Sequence, residues 1–499
     1  MRFLSYSNQL SFVASGEKQY DDAKPISHID HIPSPFQNPH FSFNDELLSF
    51  LDGKQLLPDE LPFPISLVHT HFEHGYVMYQ KGITKHDHRF RCERCGNEDS
   101  EFFASFLCAR CQFTCMYCRK CITMGRVSEC TPLIISRMLP AAVEYENPLH
   151  WDGTLSSGQQ FASQAVVRAI ENREELLIWA VCGAGKTEVL FAGIERALQR
   201  GMRVCIATPR TDVVLELAPR LKRVFPNVPI VALYGGSEDR GKIAPLVIAT
   251  THQLLRFYHA FDAMIIDEVD AFPYSVEGML QYAAKKARKP SSSVIYLTAT
   301  PSEKWKKEVA QGKRKAVTIP ARYHGFPLPV PQFEWCGNWR KAVQKQFLPS
   351  NVVHWIEQRL SEQKPSFLFV PHIELLEKIV LILKKIEPNI EGVHAEDAER
   401  KEKVAAFRNG TIPLLVTTTI LERGVTIPNL DVAVLGAEDR IFTEGALVQI
   451  AGRVGRSVQF PKGDVRFFHY GKTREMLAAK RHIEQMNKEA SKRGMLKQG

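Results

Sequence analysis

Four clusters of residues in this chain have types and spacings that could do chemistry. The first is "AVCGAGKTE", Ala180 to Glu188. It follows the phosphate-loop spacing G-x-x-x-x-G-K-[ST], with Ala180 in the first glycine's place and Gly185-Lys186-Thr187 completing it. Glycines here let backbone N–H groups curl around phosphate oxygens, Lys186 can reach the outer phosphates, and the Thr187 hydroxyl can bind Mg²⁺. A helix starting at this point would add its positive end. Gly183, Ala184, Gly185, Lys186, Thr187 and Glu188 are therefore the candidate cradle for a nucleoside triphosphate. The second cluster is "MIIDEVD", an apolar run ending in Asp267-Glu268. Asp267 is expected to hold Mg²⁺, through water, and Glu268 to orient and deprotonate an attacking water. Phosphoryl transfer needs mainly positioning and charge neutralisation, so one metal ligand and one base suffice. The third is "QIAGRVGR" at 449–456, which sets Arg453 and Arg456 three apart on one side of a helix or turn. Two arginines so placed could stabilise charge on a γ-phosphate.

The fourth cluster is cysteine. Of 11 cysteines, eight fall between Cys92 and Cys130. For a chain read as cytosolic, clustered Cys-x-x-Cys means metal rather than disulfides. Zinc takes four ligands in a tetrahedron, and each Cys-x-x-Cys knuckle supplies two. Cys92/Cys95 is one knuckle. The second is Cys118/Cys121 or the equally well-formed Cys108/Cys111. Cys108, Cys111, Cys115 and Cys130 exceed a four-cysteine set, which leaves a second zinc site open. An all-cysteine site has no open coordination position, so the expected role is structural. The histidines His69, His71, His74, His86 and His88 lack the HExxH spacing and read as surface or packing residues. Cys182, Cys205 and Cys336 read as ordinary core or loop residues.

Several function classes are excluded by composition. The chain has 499 residues, which at about 150 per domain means about three domains. No apolar run approaches the ~18 residues of a membrane span, and "MRFLSYSNQLSFVASGEKQY" has no continuous apolar core, so a signal peptide is not expected. The net charge is +9, from 64 basic and 55 acidic residues, a surplus that suits nucleic acid without establishing it. Elements able to position the clusters follow from about residue 150. "LLIWAVCG", "RVCIATPR", "LVIATTHQ", "AMIIDEVD" and "VIYLTATP" are strand-sized apolar runs ending in polar turns, separated by helical patterns. Such alternation means a parallel sheet covered by helices, with binding loops at the strands' carboxyl ends. After "PARYHGFPLPVPQFEWCGNW" the rhythm restarts with "SFLFVPH", "IPLLVTTTILERG" and "VRFFHYG". The expected class is α/β: two RecA-like parallel-sheet domains preceded by a small zinc-binding module. The expected division is 1–88 of unclear fold, 89–131 the cysteine module, 150–320 the first lobe, 321–340 a linker, 341–475 the second lobe and 476–499 a basic tail.

Together these motifs resemble those of superfamily 2 helicases and translocases over about residues 150–475. Gln159 in "LSSGQQ" is similar to the glutamine that reads adenine in that group. Thr208 and Arg210, in "ATPRTDVVLELAPRL", together with Thr250, Thr251 and Thr419, match positions that contact the phosphate backbone of one nucleic-acid strand. Hydroxyls and arginine bind phosphate without reading bases. "TAT" at 298–300, "TTTILERGVTIP" at 417–428 and "QIAGRVGR" complete the ordered set. The cysteines ahead of the motor, followed by "WDGTLSSGQQ", resemble the ComFA family across the whole chain. That resemblance implies zinc at Cys92, Cys95, Cys118 and Cys121, and ATP hydrolysis with Mg²⁺ stimulated by single-stranded DNA. It implies a role in driving transforming DNA into the cytosol. The implied partners are the membrane uptake channel and other cytosolic competence proteins, with self-association a further option. Location is then cytoplasmic, with any membrane attachment peripheral at the inner face. Two other readings stand beside it: a replication-restart type DNA helicase, whose zinc region would lie within or after the second lobe, and an ATP-gated nucleic-acid adaptor that does not translocate. A DEAD-box RNA helicase fits less well, because "DEVD" and the cysteines both depart from that pattern.

Overall fold

A computed structural model of the chain describes residues 1–6, 9–13, 22–87, 89–138, 142–423 and 427–497. His88 and positions 424–426 of "TTTILERGVTIP" lie outside the described residues. Two compact units result. One comprises Met1–Asp152, Gln164–Leu176 and Phe191–Tyr296; the other comprises Gly153–Ser163, Leu177–Leu190 and Leu297–Gly499.

The expected rhythm of buried strands produces two sheets. A seven-stranded sheet runs in the order Ile230–Leu233, Leu246–Thr250, Val204–Thr208, Phe261–Ile266, Arg288–Thr298, Glu175–Ala180, Ala316–Ile319. A six-stranded sheet runs Gln332–Trp335, Val465–His469, Asp431–Leu435, Ser366–Phe369, Leu414–Thr417, Glu391–Val393. The registered pairs in both are parallel. Strands such as Leu246–Thr250 and Asp431–Leu435 are buried at every residue, which is why they read as continuous apolar runs rather than as alternating ones.

The first unit begins with a small α/β layer. Strand Pro132–Ser136 lies between Gln55–Leu56 and Val77–Lys81, antiparallel to both. Helices Asp45–Leu51 and Ile65–Glu73 contribute Leu47, Leu51, Val68 and Phe72 to its core. The Asn44 side chain caps the first helix, accepting from Leu47 N at 2.7 Å, which satisfies one of the helix's free amides. The cysteine segment is inserted between the paired strands Val77–Lys81 and Pro132–Ser136. It consists of a hairpin, Ile83–His86 with Arg89–Cys92, and a three-stranded sheet of Phe103–Leu107, Thr114–Cys118 and Val127–Ser128.

Buried charge ties this layer and the cysteine segment to the five-strand part of the first unit. Glu60 accepts from Arg94 at 2.8 and 2.9 Å and from Arg256 at 2.7 Å. Asp52 pairs with Arg203 at 2.6 Å. The Lys286 ammonium is buried and donates to Arg94 O at 2.9 Å, to Leu255 O at 3.1 Å and to the Gln55 side chain. Its burial, with Arg94 nearby, lowers its pKa to about 7. The Tyr282 ring lies against Gly96, where a Cβ would meet ring carbon at 2.6 Å.

Two expected boundaries differ in the structure. The proline-rich stretch at 321–340 is not all linker: Gln332–Trp335 is an edge strand of the six-stranded sheet. Prolines stop at the point where main-chain pairing begins, since proline cannot donate to a ladder. The segment at 476–499 is not a free tail. Helix Arg474–Lys492 buries Met476, Ala479, Ile483, Met486 and Ala490, spacings of three and four that place them on one face. The basic residues occupy the rest of the helix.

Within the second unit, one carboxylate joins three helices. Glu444, which opens helix Glu444–Ala451, accepts from His482 Nδ1 at 2.8 Å and from Lys306 Nζ at 3.0 Å. The His482 bond, assisted by Lys306, holds its pKa down from 4.5 to about 2. A carboxylate depressed in the folded state stabilises fully above its unfolded value and loses that contribution as pH falls through the folded one. Glu444→Gln is therefore expected to lower stability by about 2 kcal/mol at pH 7. It should also flatten the loss of stability between about pH 4.5 and 2, measured by urea unfolding across that range.

Candidate nucleotide site and cysteine centres

The P-loop leaves strand Glu175–Ala180 and enters helix Lys186–Gln199. Gly183 and Gly185 have φ of +79° and +71°, a region that glycine occupies without a Cβ clash. The loop's carbonyls are engaged on its outer side. Gly183 O accepts Tyr323 N at 3.1 Å, and Ala184 O accepts Gln159 Nε2 at 2.9 Å. Gln159 is 4% exposed, and its Oε1 accepts Ser156 N at 2.8 Å. Both ends of its amide are thus committed within the chain. Lys186 and Thr187 begin the helix, half-buried. With the carbonyls held outward and positive φ at both glycines, the loop fits phosphate oxygens on its amide side.

Residues 449–456 pack directly on this loop. Cys182 Sγ donates to Gln449 Oε1 at 3.0 Å. Gly452 lies so near that a Cβ there would stand 2.7 Å from Cys182 Sγ. Arg453 is buried and donates from Nε to Glu422 O at 2.7 Å. Arg456 donates from Nε to Gly452 O at 2.9 Å. Sequence reading gave Cys182 no special part. Its contact partner is a glycine some 270 positions along the chain, which no local pattern signals.

The acidic pair lies in the first unit. Asp267 and Glu268 follow strand Phe261–Ile266, and Asp267 Oδ1 accepts Glu268 N at 2.9 Å. Glu268 has φ +54°, a left-handed conformation that costs a non-glycine residue energy and is found at functional sites. The expected nucleic-acid residues of this unit fall together. Thr208 and Thr250 are cross-strand partners at the ends of adjacent strands, and Thr251 follows. Thr208 and Thr251 are fully buried and Thr250 nearly so, while Arg210 is more accessible and bound to Asp212 at 2.9 Å. Thr419, in the second unit, opens a short 3₁₀ turn and is half-buried.

The cysteines form two groups. Cys92, Cys95, Cys118 and Cys121 have all four sulfurs within 4.8 Å of one another, and so do Cys108, Cys111, Cys115 and Cys130. All eight are buried. In the first group Cys92 and Cys121 stand 3.8 Å apart, and Cys95 and Cys118 3.7 Å. A tetrahedron with Zn–S bonds of about 2.3 Å has sulfurs about 3.8 Å apart. In the second group the distances are 3.5 Å for Cys108–Cys130 and 3.3 Å for Cys111–Cys115. Strand Thr114–Cys118 serves both groups. Cys115 and Cys118 are an odd number of residues apart, so they project to opposite faces. Cys118/Cys121 is thereby the knuckle that meets Cys92/Cys95, and Cys108/Cys111 meets Cys115 and Cys130. Sulfur–sulfur hydrogen bonding and burial raise the Cys92 and Cys115 thiols, so protons held by the clusters would leave on metal binding. Both groups fit structural zinc. The full chain, dialysed against EDTA-free buffer and analysed by plasma mass spectrometry, is expected to carry two zinc ions. Cys121→Ser should remove one and Cys111→Ser the other; loss of both ions from either variant would mean a single coupled site.

Comparison with known proteins agrees with this layout. Residues 37–135 match the competence protein ComFA N-terminal domain. Residues 152–303 match the family described as type III restriction enzyme, res subunit, and residues 349–458 match the helicase conserved C-terminal domain. The chain is 52% identical over 451 residues to competence protein ComFA of Bacillus subtilis (strain 168), covering 90% of this chain and 97% of that protein. It is 39% identical to competence protein ComFA of Streptococcus pneumoniae (strain ATCC BAA-255 / R6), covering 77% and 90%. Among solved structures, S. cerevisiae Dbp5 bound to RNA and ADP BeF3 aligns with a TM-score of 0.48 at 15% identity, covering 66% of this chain and 91% of that one. No helix among the described residues is long and apolar enough to cross a membrane. The chain belongs to the ComFA family of competence proteins, and its two helicase-type lobes form an ATPase of the helicase type.

Proposed function

We propose that the chain is an ATP-driven translocase of single-stranded DNA that works in the uptake of transforming DNA. The observation that most supports this is the packing of Cys182, inside the P-loop, on the segment that carries Arg453 and Arg456. A change in what the loop holds bears directly on that segment. Two packings of such a contact are the bistable element that a motor cycle needs.

The roles follow from chemistry. Lys186 and the loop amides bind the triphosphate, and Gln159, its amide committed to Ala184 O and Ser156 N, fixes the loop from behind. Thr187 would contribute a ligand to Mg²⁺, with Asp267 the candidate acidic partner of the other unit, and the ion would supply neutralisation of phosphate charge. Glu268 takes the proton of the attacking water, and Arg453 and Arg456 stabilise charge developing on the γ-phosphate. The strand backbone contacts fall to Thr208, Arg210, Thr250, Thr251 and Thr419. Burial of the threonines of the first unit leaves Arg210 as the accessible cation of that set. The cysteine module either meets DNA ahead of the motor or docks a competence partner at the inner face of the membrane.

Steady-state ATPase activity without nucleic acid, then with single-stranded DNA, duplex DNA or RNA, tests the reading. Single-stranded DNA is expected to stimulate most, and Lys186→Ala to abolish the response. Equal activity under all four conditions would overturn the DNA-driven motor. Glu268→Gln is expected to lower kcat by about 10²-fold or more, in line with loss of a general base, with ATP affinity retained. Cys118→Ala should abolish DNA stimulation if the module meets DNA, and leave it unchanged if the module docks a partner.

A further inference from the structure

Arg322 lies three residues past strand Ala316–Ile319, in the stretch that the sequence presents as linker. It is 2% exposed. Its stem runs along the P-loop: a Cβ on Gly183 would stand 3.6 Å from Cγ, 3.8 Å from Cδ and 3.8 Å from Nε of Arg322. Its neighbour Tyr323 donates N–H to Gly183 O. One arm of the guanidinium is anchored, Nη1 donating to Gly455 O at 2.6 Å. The same carbonyl receives His324 Nε2 at 3.1 Å, while His324 Nδ1 accepts Phe326 N. That pair of bonds defines the neutral Nε2–H tautomer of His324. Gly455 sits at φ +69° between Arg453 and Arg456.

Among the described residues the other arm has no protein partner. Nε and Nη2 are buried and make no hydrogen bond among the described residues. No carboxylate among the described residues pairs with this guanidinium, and the charged side chain that most affects it is another cation, Arg456. Burial, reinforced by Arg456, lowers the pKa of Arg322 to about 10. A buried cation next to a second cation is unfavourable unless an anion joins them. Arginine's fork matches phosphate oxygens. The loop against which this side chain lies is the one whose glycines fit phosphate.

We propose that Arg322 is a further phosphate-binding residue of the nucleotide site, giving Nε and Nη2 to phosphate oxygens while Nη1 stays on the Gly455 carbonyl. It thereby ties phosphate occupancy of the P-loop to the turn that carries Arg456. This rests on the ATPase reading above.

The test is equilibrium titration of the full, zinc-loaded chain with fluorescent mant-ATP and mant-ADP, alongside its melting temperature without nucleotide. Wild type, Arg322→Lys, Arg322→Gln and Lys186→Ala are compared. Affinity for mant-ATP is expected to fall in the order wild type, Lys, Gln, with at least a tenfold loss in Arg322→Gln. The melting temperature of the Gln variant is expected to be unchanged or raised, because an uncompensated buried charge has been removed. Affinity within twofold of wild type in Arg322→Gln would overturn the proposal. So would equal losses in both variants that accompany equal falls in melting temperature, since the side chain would then be a strut. If Arg322→Gln does not fold, Arg322→Lys decides: weaker binding with an intact melting temperature supports the proposal, and unchanged binding overturns it. Wild type that binds no better than Lys186→Ala would instead defeat the nucleotide site itself, and the role of Arg322 with it.

Discussion

The close approach of the Cys182 side chain to the main chain at Gly452 is the constraint on which the second unit depends. Gly183 and Gly185 turn the chain through left-handed conformations. Gly452 then admits Cys182 to contact where no side chain would fit. Glycine at such positions costs backbone entropy. That cost is offset by what the loop meets: Tyr323 N on Gly183 O, Gln159 Nε2 on Ala184 O, and the Gln449 side chain on the Cys182 thiol. The loop's shape is therefore held by contacts within the chain, and a preshaped site gains affinity without reordering.

A second constraint governs the first unit. The cysteine segment is short, and its buried apolar side chains among the described residues are Ile83, Phe103, Val127 and the eight cysteines. Two groups of four buried cysteines would take the place of a larger core if they bind metal, since metal binding energy in such a segment is folding energy. The segment is held on its lobe by charge: Glu60 between Arg94 and Arg256, and Lys286 on three acceptors. Buried pairs of this kind add little net stability over apolar packing, but losing one partner is costly. They therefore fix the orientation of the segment on its lobe.

Much of the chemistry was legible in the chain. Strand–turn–helix around "AVCGAGKTE" and an apolar run into Asp267-Glu268 are local patterns, and local patterns are set by backbone conformation and phosphate geometry. The ordered alternation of apolar runs gave the parallel sheets for the same reason. The N-cap at Asn44 was equally local. What failed were the boundaries. A proline-rich stretch reads as linker whether or not an edge strand follows it, and a basic C-terminal helix reads as solvated unless the three–four spacing of Met476, Ala479, Ile483, Met486 and Ala490 is weighed against its charge.

The sequence by itself determined which residues are candidates for binding phosphate, metal and water, because side-chain chemistry and short spacing are properties of the chain. It also determined the α/β class and the presence of a cysteine module. Only the tertiary structure decided how eight cysteines divide into two groups, because that depends on which face of Thr114–Cys118 each sulfur leaves. Only it brought Gly452 to Cys182, and set Arg322 beside Gly183 and the Gly455 turn. Those contacts join positions far apart in the chain. Their partners are fixed by the stacking order of strands, which no local spacing encodes.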